Sequence, residues 1–374
     1  MIRRTIANKI IECLQANKVV LLLGARRVGK TTLVKSMLED IPDSKYFNCE
    51  LLQNKEALET TNSELLFSFL GNYRTIVFDE AQTIKNIGPV LKILHDTFPD
   101  KQIIATGSSA FYLGQQTGEP LTGRSRQFTL SPLSFEEIAD HEDLITAKAK
   151  IANILRFGQY PEVYGKNEEF AIEELENISS NYLYKDILQF EHLKKPDTLH
   201  ALLKLLAFQI GSGVSYNELS NKLSVHVNTV KRYIDLLEKN FVVFRLPALS
   251  NNPRNEIGKS QKIYFNDCGI RNAIIRNFNP IDLRNDIGQL WENFFVSEKR
   301  KINLNHRVFL NSYFWRNYQK KEIDYLEEIN GKFELFECKY KPRKNIQTPK
   351  DFAKNYSNYR FHVVHLDNFW KHIT

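Results

Sequence analysis

The sequence has few cysteines and no long apolar run. Its four cysteines are scattered along 374 residues, with no Cys-x-x-Cys pair and no histidine at metal-ligand spacing. This pattern indicates neither a disulfide framework nor a zinc site, and it predicts reduced thiols in a cytoplasmic protein. No apolar run approaches the ~20 residues that span a bilayer. The opening segment Met1-Ile2-Arg3-Arg4-Thr5 has no apolar stretch behind it, so we expect no secretion signal and no membrane partner.

The composition is that of a globular protein whose positive charge is concentrated at one end. Hydrophobic residues make up 42% of the chain, which argues against disorder, and the length predicts two to four domains. Residues 251–374 hold 22 Lys and Arg against 14 Asp and Glu, whereas residues 1–250 hold 29 against 30. The last third would therefore attract a polyanion such as nucleic acid, although a basic surface has other causes as well.

A glycine-rich segment follows the first apolar run, Val19–Leu23, and precedes the helical stretch Thr32–Glu39. It fits the pattern G-x-x-x-x-G-K-[ST], whose backbone N–H groups surround a phosphate at a helix N-terminus. We predict that Lys30 contacts the β- and γ-phosphates of ATP and that the Thr31 hydroxyl binds Mg²⁺. The residues expected to contact the nucleotide are Gly24, Ala25, Arg26, Arg27, Val28, Gly29, Lys30, Thr31, Thr32, Asp79 and Ser108.

A second apolar strand, Thr75–Phe78, ends in two carboxylates. This is a Walker B arrangement, in which Asp79 holds Mg²⁺ and Glu80 activates the attacking water. Two solvated acids at the end of a strand are the alternative interpretation. The segments Val19–Leu23, Thr75–Phe78 and Gln102–Thr106 each end in a polar turn, which favours an α/β fold with a parallel sheet.

The third strand continues into Thr106-Gly107-Ser108-Ser109, whose hydroxyls are placed to sense the γ-phosphate. Further along, Arg124 offers a cation for the charge that develops in the transition state. An ordinary surface arginine explains Arg124 nearly as well. The sequence also leaves open whether Arg124 would act in its own subunit or in a neighbouring one.

Three of these segments follow one another in an order that resembles the prokaryotic AAA-like ATPases of the AAA_14 type. They are Ile104–Ser109, Leu121–Arg124 and Leu130-Ser131-Pro132-Leu133-Ser134-Phe135-Glu136-Glu137. The usual C-terminal partner of that family is a domain of unknown function, DUF4143. Segments similar to this pairing are Tyr160-Pro161-Glu162, Tyr182-Leu183-Tyr184-Lys185-Asp186-Ile187 and Leu290-Trp291-Glu292-Asn293. The resemblance implies ATP binding. Gly158-Gln159 departs from it, since the family tends to have two adjacent glycines there.

The middle of the chain has a winged helix-turn-helix pattern. Ser215 and Glu218 form a capping-box signature at the start of one helix, and a second helix runs over residues 228–238. Val230, Tyr233, Ile234 and Leu237 make its inward stripe, and Phe241–Leu246 follows as a wing-like strand. If this helix enters a DNA groove, the contacting residues are Asn228, Thr229, Lys231 and Arg232. A lid or docking surface for the ATPase is the alternative role.

The C-terminal third resembles a PD-(D/E)xK nuclease, that is, a restriction-endonuclease-like fold. A strand with Asp324 is followed by a Gly331 turn and a return strand with Glu337-Cys338-Lys339, and a helical Glu292 lies upstream. Strand periodicity places Glu337 and Lys339 on one face. We predict that Asp324, Glu337 and Glu292 bind a metal ion and that Lys339 polarises a water molecule. Lys341 and Arg343 would contact a phosphate backbone. Solvated charge on an exposed strand is the alternative.

Together these patterns predict a Mg²⁺-dependent ATPase that couples its nucleotide state to nucleic-acid binding or cleavage. We expect ATP and nucleic acid as partners, DNA rather than RNA, and leave a homo-oligomer open. The alternatives are a regulator with an inactive nuclease-like domain and a scaffold with no nucleic-acid role. The predicted regions are an AAA-like P-loop domain, a helical connector, a winged helix-turn-helix and a nuclease-like domain, at residues 1–138, 139–200, 201–260 and 261–374.

Overall fold

The structure is a computed structural model, and it describes residues 1–108, 121–182, 196–250 and 261–374. The chain divides into two compact units. Unit 1 comprises residues 1–133, 239–241 and 304–307, and unit 2 comprises residues 134–238, 242–303 and 308–374. Of the predicted segments, Ser109 and residues 183–187 lie outside the described residues.

Unit 1 is built around a parallel sheet, as the sequence predicted. Its strands are β1 (Val19–Leu23), β2 (Ser44–Asn48), β3 (Thr75–Asp79), β4 (Gln102–Gly107) and β5 (Ser125–Thr129). In the described part of the chain they lie in the order β2-β3-β4-β1-β5, with every neighbouring pair parallel. All five residues of β1 and all five of β3 are buried, as expected for strands covered on both faces.

Helices of unit 1 pack against this sheet. They are α1 (Ile6–Gln15), α2 (Lys30–Glu39), α3 (Leu52–Leu58), α4 (Ser63–Leu70) and α5 (Ile87–Thr97). Side chains from β1, β3 and β4 form one apolar core with α4 and α5, in which Leu66, Phe78, Leu91 and Ile103 are buried. Because β1, β3 and β4 are parallel, their carboxyl ends lie at the same edge of the sheet. The loops after these three strands therefore meet there.

Unit 2 begins with short helices. They are α6 (Phe135–Glu142), α7 (Leu144–Ala149), α8 (Ile151–Phe157), α9 (Glu168–Asn177) and α10 (Pro196–Phe208), and a π-helical turn, Ile178–Tyr182, follows α9. Ser134 caps α6 through a capping box with Glu137. At the family-atypical turn, Gly158 has φ +74°, and a Cβ there would lie 2.0 Å from Oδ1 of Asp267. Gly158, which corresponds to the first of the two adjacent glycines in the family, therefore has no room for a side chain.

A helix pair and a small sheet follow in unit 2. The pair is α11 (Tyr216–Leu223) and α12 (Val227–Lys239), and the strands are β6 (Gly213–Val214), β7 (Val243–Pro247) and β8 (Gln261–Phe265). The sheet order is β6-β8-β7, with both pairs antiparallel. This sheet includes residues on both sides of the predicted domain boundary at residue 260, because β8 pairs with β6 and β7. A five-residue strand such as β8 does not reveal its partners in the sequence.

The C-terminal part of unit 2 is a second sheet preceded by two helices. They are α13 (Cys268–Ile275) and α14 (Ile287–His306), and the strands are β9 (Asn311–Arg316), β10 (Glu322–Ile329), β11 (Lys332–Cys338) and β12 (Tyr359–Val364), with α15 (Lys350–Asn355) between the last two. The order is β12-β11-β10-β9, and the β11–β12 pair is parallel. The predicted hairpin is confirmed, with Gly331 in its turn at φ +75°.

Two further features concern the chain as a whole. Cys13, Cys49, Cys268 and Cys338 are all buried free thiols. In the ranges that the structure describes, no helix combines the length and the apolar character that crossing a membrane requires.

Candidate functional site

The glycine-rich loop joins the end of β1 to the start of α2, as predicted. A Cβ added at Gly24 would lie 2.3 Å from the carbonyl oxygen of Leu130, so only glycine fits this close approach. Gly29 adopts φ +96° and caps α2. The buried Lys30 reaches back over the loop, and its Nζ donates to the carbonyl oxygens of Gly24 at 2.9 Å and Ala25 at 3.0 Å.

The other predicted nucleotide-contacting residues lie on this loop or beside it. Val28 is buried, and its carbonyl oxygen accepts a hydrogen bond from Arg4 at 2.8 Å. Arg27 also adopts a positive φ, +63°, so the loop turns at two places, Arg27 and Gly29. Arg26 and Arg27 are half-buried and Thr32 is exposed on the first turn of α2. The loop therefore presents two arginines and a helix N-terminus, all of which favour an anion.

Asp79, at the end of β3, receives hydrogen bonds from three hydroxyl groups. Thr31 Oγ1 and Tyr46 Oη donate to Oδ2 at 2.7 and 2.6 Å, and Thr106 Oγ1 donates to Oδ1 at 2.5 Å. The carboxylate is only 3% exposed. The structure thus brings the predicted pair Thr31 and Asp79 together. Tyr46 on β2 was not predicted, because no motif marks it in the sequence.

Glu80 follows Asp79 in a left-handed conformation, with φ +54°. Its N–H donates to Thr106 Oγ1 at 3.0 Å, and its carboxylate accepts a hydrogen bond from Gln82 Nε2. The same amide nitrogen lies 3.3 Å from Oγ of Ser108. The predicted residues Glu80 and Ser108 are therefore linked through Gln82, which was not predicted. A glutamine two residues after the Walker B glutamate was the available signal.

Arg124 lies apart from this group. It precedes β5, and its carbonyl oxygen accepts from the N–H of Val19, at the amino end of β1, whereas the phosphate loop begins at the carboxyl end. Its side chain pairs with Asp96 at 2.7 Å. The Arg124 hydrogen bond is the main cause of the lowered pKa of Asp96, which is about 2. Within one chain, Arg124 is therefore not brought to the phosphate loop.

The predicted recognition helix is α12. Its inward stripe is confirmed, because Val230, Tyr233, Ile234 and Leu237 are all buried. On the opposite side Asn228, Lys231 and Arg232 are exposed and Thr229 is half-buried. Ser215 caps the preceding helix by accepting the Glu218 N–H at 3.3 Å. The four predicted nucleic-acid residues thus occupy the surface of α12 away from its core.

The C-terminal candidate residues surround a cavity of about 510 Å³ in unit 2. Its lining includes Glu292, Asp324, Lys339, Lys341 and Arg343, so the structure assembles most of the predicted set around one opening. Lys341 and Arg343 are exposed at its mouth. The cavity therefore combines carboxylates with a cationic rim.

Hydrogen bonds and lysines hold the carboxylates of this region, of which Glu337 is not among the residues that line the cavity. Asp324 Oδ2 accepts the N–H of Cys338 at 2.8 Å, and Glu337 Oε1 lies 2.7 Å from Lys339 Nζ. Lys339 is also 3.8 Å from Asp324. Burial and the charge of Asp324 raise the pKa of Glu337. Burial lowers the pKa of Lys339, but Asp324 and Glu337 raise it and the net shift is upward. Lys339 thus stays charged.

Glu292, on α14, has partners that the sequence did not predict. Its Oε1 accepts from Lys262 Nζ at 2.8 Å and from Tyr264 Oη at 2.6 Å, both on β8. Burial and Asp324 raise the pKa of Glu292 to about 7, although Lys262 lowers it. Across the described ranges, no three His, Cys, Asp or Glu side chains are arranged to hold a metal ion. Asp324 therefore interacts electrostatically with both Glu292 and Glu337, but the predicted trio does not form a ligand set.

Three known families match consecutive parts of the chain. The AAA_14 family, described as an AAA domain, matches residues 16–139. A domain of unknown function, DUF8612, matches residues 148–281, and the domain of unknown function DUF4143 matches residues 287–368. The DUF4143 match contains Leu290–Asn293, whereas Tyr160-Pro161-Glu162 falls in the DUF8612 match.

Individual proteins are similar over most of the chain. An uncharacterized protein of Mycobacterium tuberculosis is 26% identical over 341 residues, which is 90% of this chain and 74% of that protein. An uncharacterized protein of Methanocaldococcus jannaschii is 26% identical over 296 residues, covering 69% of this chain and 62% of its own length. A Walker-type ATPase of Pyrococcus abyssi has the same fold at TM-score 0.50 and 17% identity, over 74% of this chain and 96% of that chain. Residues 16–139 thus match the AAA_14 family, an AAA domain, and residues 287–368 match the domain of unknown function DUF4143.

Proposed function

We propose that the protein binds Mg·ATP at the phosphate loop and hydrolyses it. The observation that carries this proposal is the 2.7 Å hydrogen bond between Thr31 Oγ1 and Asp79 Oδ2, at the edge where the loop begins. A hydroxyl and a carboxylate in this relation are the two protein groups that P-loop ATPases use around Mg²⁺. Lys30 would exchange its contacts with loop carbonyl oxygens for contacts with phosphate oxygens.

The surrounding residues fit such a ligand. At Gly24 the loop backbone passes so close to Leu130 that a Cβ would lie 2.3 Å from the Leu130 carbonyl oxygen. Gln82 Oε1 is buried and has no hydrogen-bond partner among the described residues, next to Glu80 and Ser108. A buried acceptor without a donor is costly, and a water molecule in position to attack the γ-phosphate would satisfy it.

Each residue then has a distinct role. Bound magnesium would neutralise phosphate charge as the β–γ bond breaks. Tyr46 and Thr106 orient Asp79 from both of its oxygens, and Glu80 accepts the proton of the attacking water while Gln82 holds its carboxylate in place. The left-handed backbone at Glu80 aims this carboxylate, and such strain is common at functional positions.

Nucleotide binding and turnover in two variants test this proposal. We expect Lys30→Ala to lose ATP binding in calorimetry, because it removes the phosphate cation. Glu80→Gln should keep ATP binding and reduce turnover by about 100-fold or more, the scale of general-base catalysis. Glu56→Gln, an exposed position on α3, serves as the control with unchanged values. Full turnover by Glu80→Gln would reassign the base, and unchanged binding by Lys30→Ala would remove the ATP site.

We further propose that unit 2 binds nucleic acid, with DNA as the first candidate, and that the ATP state controls this binding. The supporting observation is the cationic rim of the cavity, with Lys339, Lys341 and Arg343 around Asp324. The helix-turn-helix α11–α12, with its exposed Asn228, adds a second surface of the type that enters a groove. The basic balance of residues 251–374 acts in the same direction.

Binding without cleavage is favoured over nuclease activity. The order α14-β9-β10-β11-α15-β12 agrees with the predicted nuclease-like fold, but lysines already pair with the carboxylates that would hold a metal ion. We therefore expect plasmid, single-stranded DNA and RNA to stay intact with Mg²⁺ or Mn²⁺. Cleavage by the wild type that is lost in Lys339→Ala, but kept in the exposed strand variant Lys332→Ala, would establish the nuclease instead. Absence of any binding at low salt would favour the scaffold alternative.

A further inference from the structure

One lysine of β8 lies inside the C-terminal acidic cluster. Lys262 is 1% exposed, and its Nζ is 2.8 Å from Oε1 of Glu292 and 4.0 Å from Oδ1 of Asp324. It also forms an ion pair with Glu322. The three carboxylates come from α14 and β10, whereas the lysine comes from the small sheet β6-β8-β7. The ammonium of Lys262, on β8, thus lies among carboxylates of α14 and β10.

The environment of Lys262 keeps it charged. Burial lowers its pKa, but Glu292, Asp324 and Glu322 raise it, and the net shift is upward. A buried ammonium is stable only when it is paired in this way. Tyr264, also on β8, donates to the same oxygen of Glu292, so both donors of this carboxylate come from one strand.

We propose that the ammonium of Lys262 is the resident cation of this cluster, and that it occupies the space between Glu292 and Asp324 and so excludes a divalent metal ion from their oxygens. A second cation at these oxygens would face the fixed positive charge of Lys262 at short range, where electrostatic repulsion is strong. Glu292 is then a positioning residue that fixes Lys262 and Tyr264. This inference concerns ion binding alone and does not rest on ATP hydrolysis or on nucleic-acid binding.

Manganese titration of the full chain tests this assignment. An Asp79→Asn background without nucleotide removes the N-terminal metal ligand, and free Mn²⁺ is counted by electron paramagnetic resonance. We expect this background to bind no Mn²⁺ below about 1 mM, and Lys262→Met within it to gain one site at least 10-fold tighter. Adding Glu292→Gln should abolish the gained site. Lys332→Met, which removes an exposed lysine, should gain nothing.

Two results would overturn the assignment. One is a Mn²⁺ site in the Asp79→Asn background that disappears with Glu292→Gln while Lys262 is intact. The other is a folded Lys262→Met chain that gains no site. If Lys262→Met does not fold, the Asp79→Asn background is compared with the same background carrying Glu292→Gln. The assignment predicts that neither of them binds Mn²⁺, and Mn²⁺ binding that depends on Glu292 would contradict it.

Discussion

Tyr46 Oη donates a 2.6 Å hydrogen bond to the same oxygen of Asp79 that accepts the Thr31 hydroxyl. Tyr46 lies on β2, directly beside β3 in the sheet, and its register partner is Val77. Burial, followed by the hydrogen bond to Asp79, raises the pKa of Tyr46 well above its ordinary value. The phenol therefore stays protonated and donates at every physiological pH. The carboxylate is thus aimed by its neighbouring strand as well as by the phosphate loop.

Replacing this phenol tests its role. We expect Tyr46→Phe to raise the Mg²⁺ concentration needed for half-maximal ATP turnover by about 10-fold, since a hydrogen bond to a charged group contributes roughly 1.5–3 kcal/mol. Titration of turnover with Mg²⁺ at saturating ATP measures the shift. Tyr73→Phe, at a more exposed tyrosine, is the control. An unchanged Mg²⁺ requirement would show that Thr31 and Thr106 alone orient Asp79.

Gly24 should tolerate no side chain. The added Cβ of Gly24→Ala would meet the Leu130 carbonyl oxygen at 2.3 Å, so the loop or the backbone after β5 must shift. We expect a loss of about 1–3 kcal/mol in the unfolding free energy of unit 1, together with weaker ATP binding. Gly288→Ala, where a Cβ meets nothing within 4 Å, should be neutral or stabilising in the same thermal melts. Similar melting of both variants would argue against the close approach.

Arg124 is expected to be dispensable within a single chain. Its side chain pairs with Asp96 at the amino end of the strands, away from the phosphate loop. Arg124→Ala should therefore leave the turnover per chain unchanged in dilute protein, as should Asp96→Asn. Turnover measured over a range of protein concentrations provides the check. A deficit in Arg124→Ala alone that grows with concentration would indicate that the arginine acts on a neighbouring copy.

Salt dependence should separate the two proposed nucleic-acid surfaces. Each phosphate contact that is removed lowers the slope of log binding constant against log salt by about 1. We expect Lys341→Ala with Arg343→Ala to lower the slope by about 2 on any DNA sequence. Lys231→Ala with Arg232→Ala should do the same only if α12 lies against DNA. Slopes that match the wild type in both double variants would place the contact elsewhere.

Acid should weaken the C-terminal region through His372. Burial, followed by the nearby His362, lowers the pKa of His372 to about 4, whereas the unfolded chain has an ordinary histidine. Between about pH 6.5 and 4 the unfolded chain binds the proton more readily, so stability falls as the pH falls through this window. Urea unfolding at pH 7 and 5 should show less acid sensitivity in His372→Gln than in the wild type. The exposed His141→Gln is the control.

Local sequence patterns predicted those elements whose formation depends on residues close by in the sequence. The phosphate loop, the strand ending at Asp79, the buried stripe of α12 and the hairpin at Gly331 depend on neighbouring residues, and all were placed correctly. For Arg124 the sequence left open which subunit it would serve, because a position soon after a sensor loop does not show which end of a strand it occupies.

The site residues that the sequence did not predict depend on contacts between residues far apart in the sequence. Tyr46 is 33 residues from Asp79, and Lys262 is 30 residues from Glu292, in a different sheet from Asp324. Neither belongs to a motif, and an alternating strand such as β8 does not tell which of its polar residues will be buried. Side chains that complete a site from a neighbouring strand become visible only once the sheet order is known.

The reaction of the four buried thiols with an alkylating reagent can report the opening of each unit. Two of them, Cys13 and Cys49, lie in unit 1, and Cys268 and Cys338 lie in unit 2. Burial is the largest cause that raises the pKa of both Cys49 and Cys268 to about 12, so an alkylating reagent can react quickly only with molecules in which that unit has opened. Mass spectrometry of the labelled positions would then show which unit opens. It would also show whether added nucleotide slows the alkylation of one unit or of both.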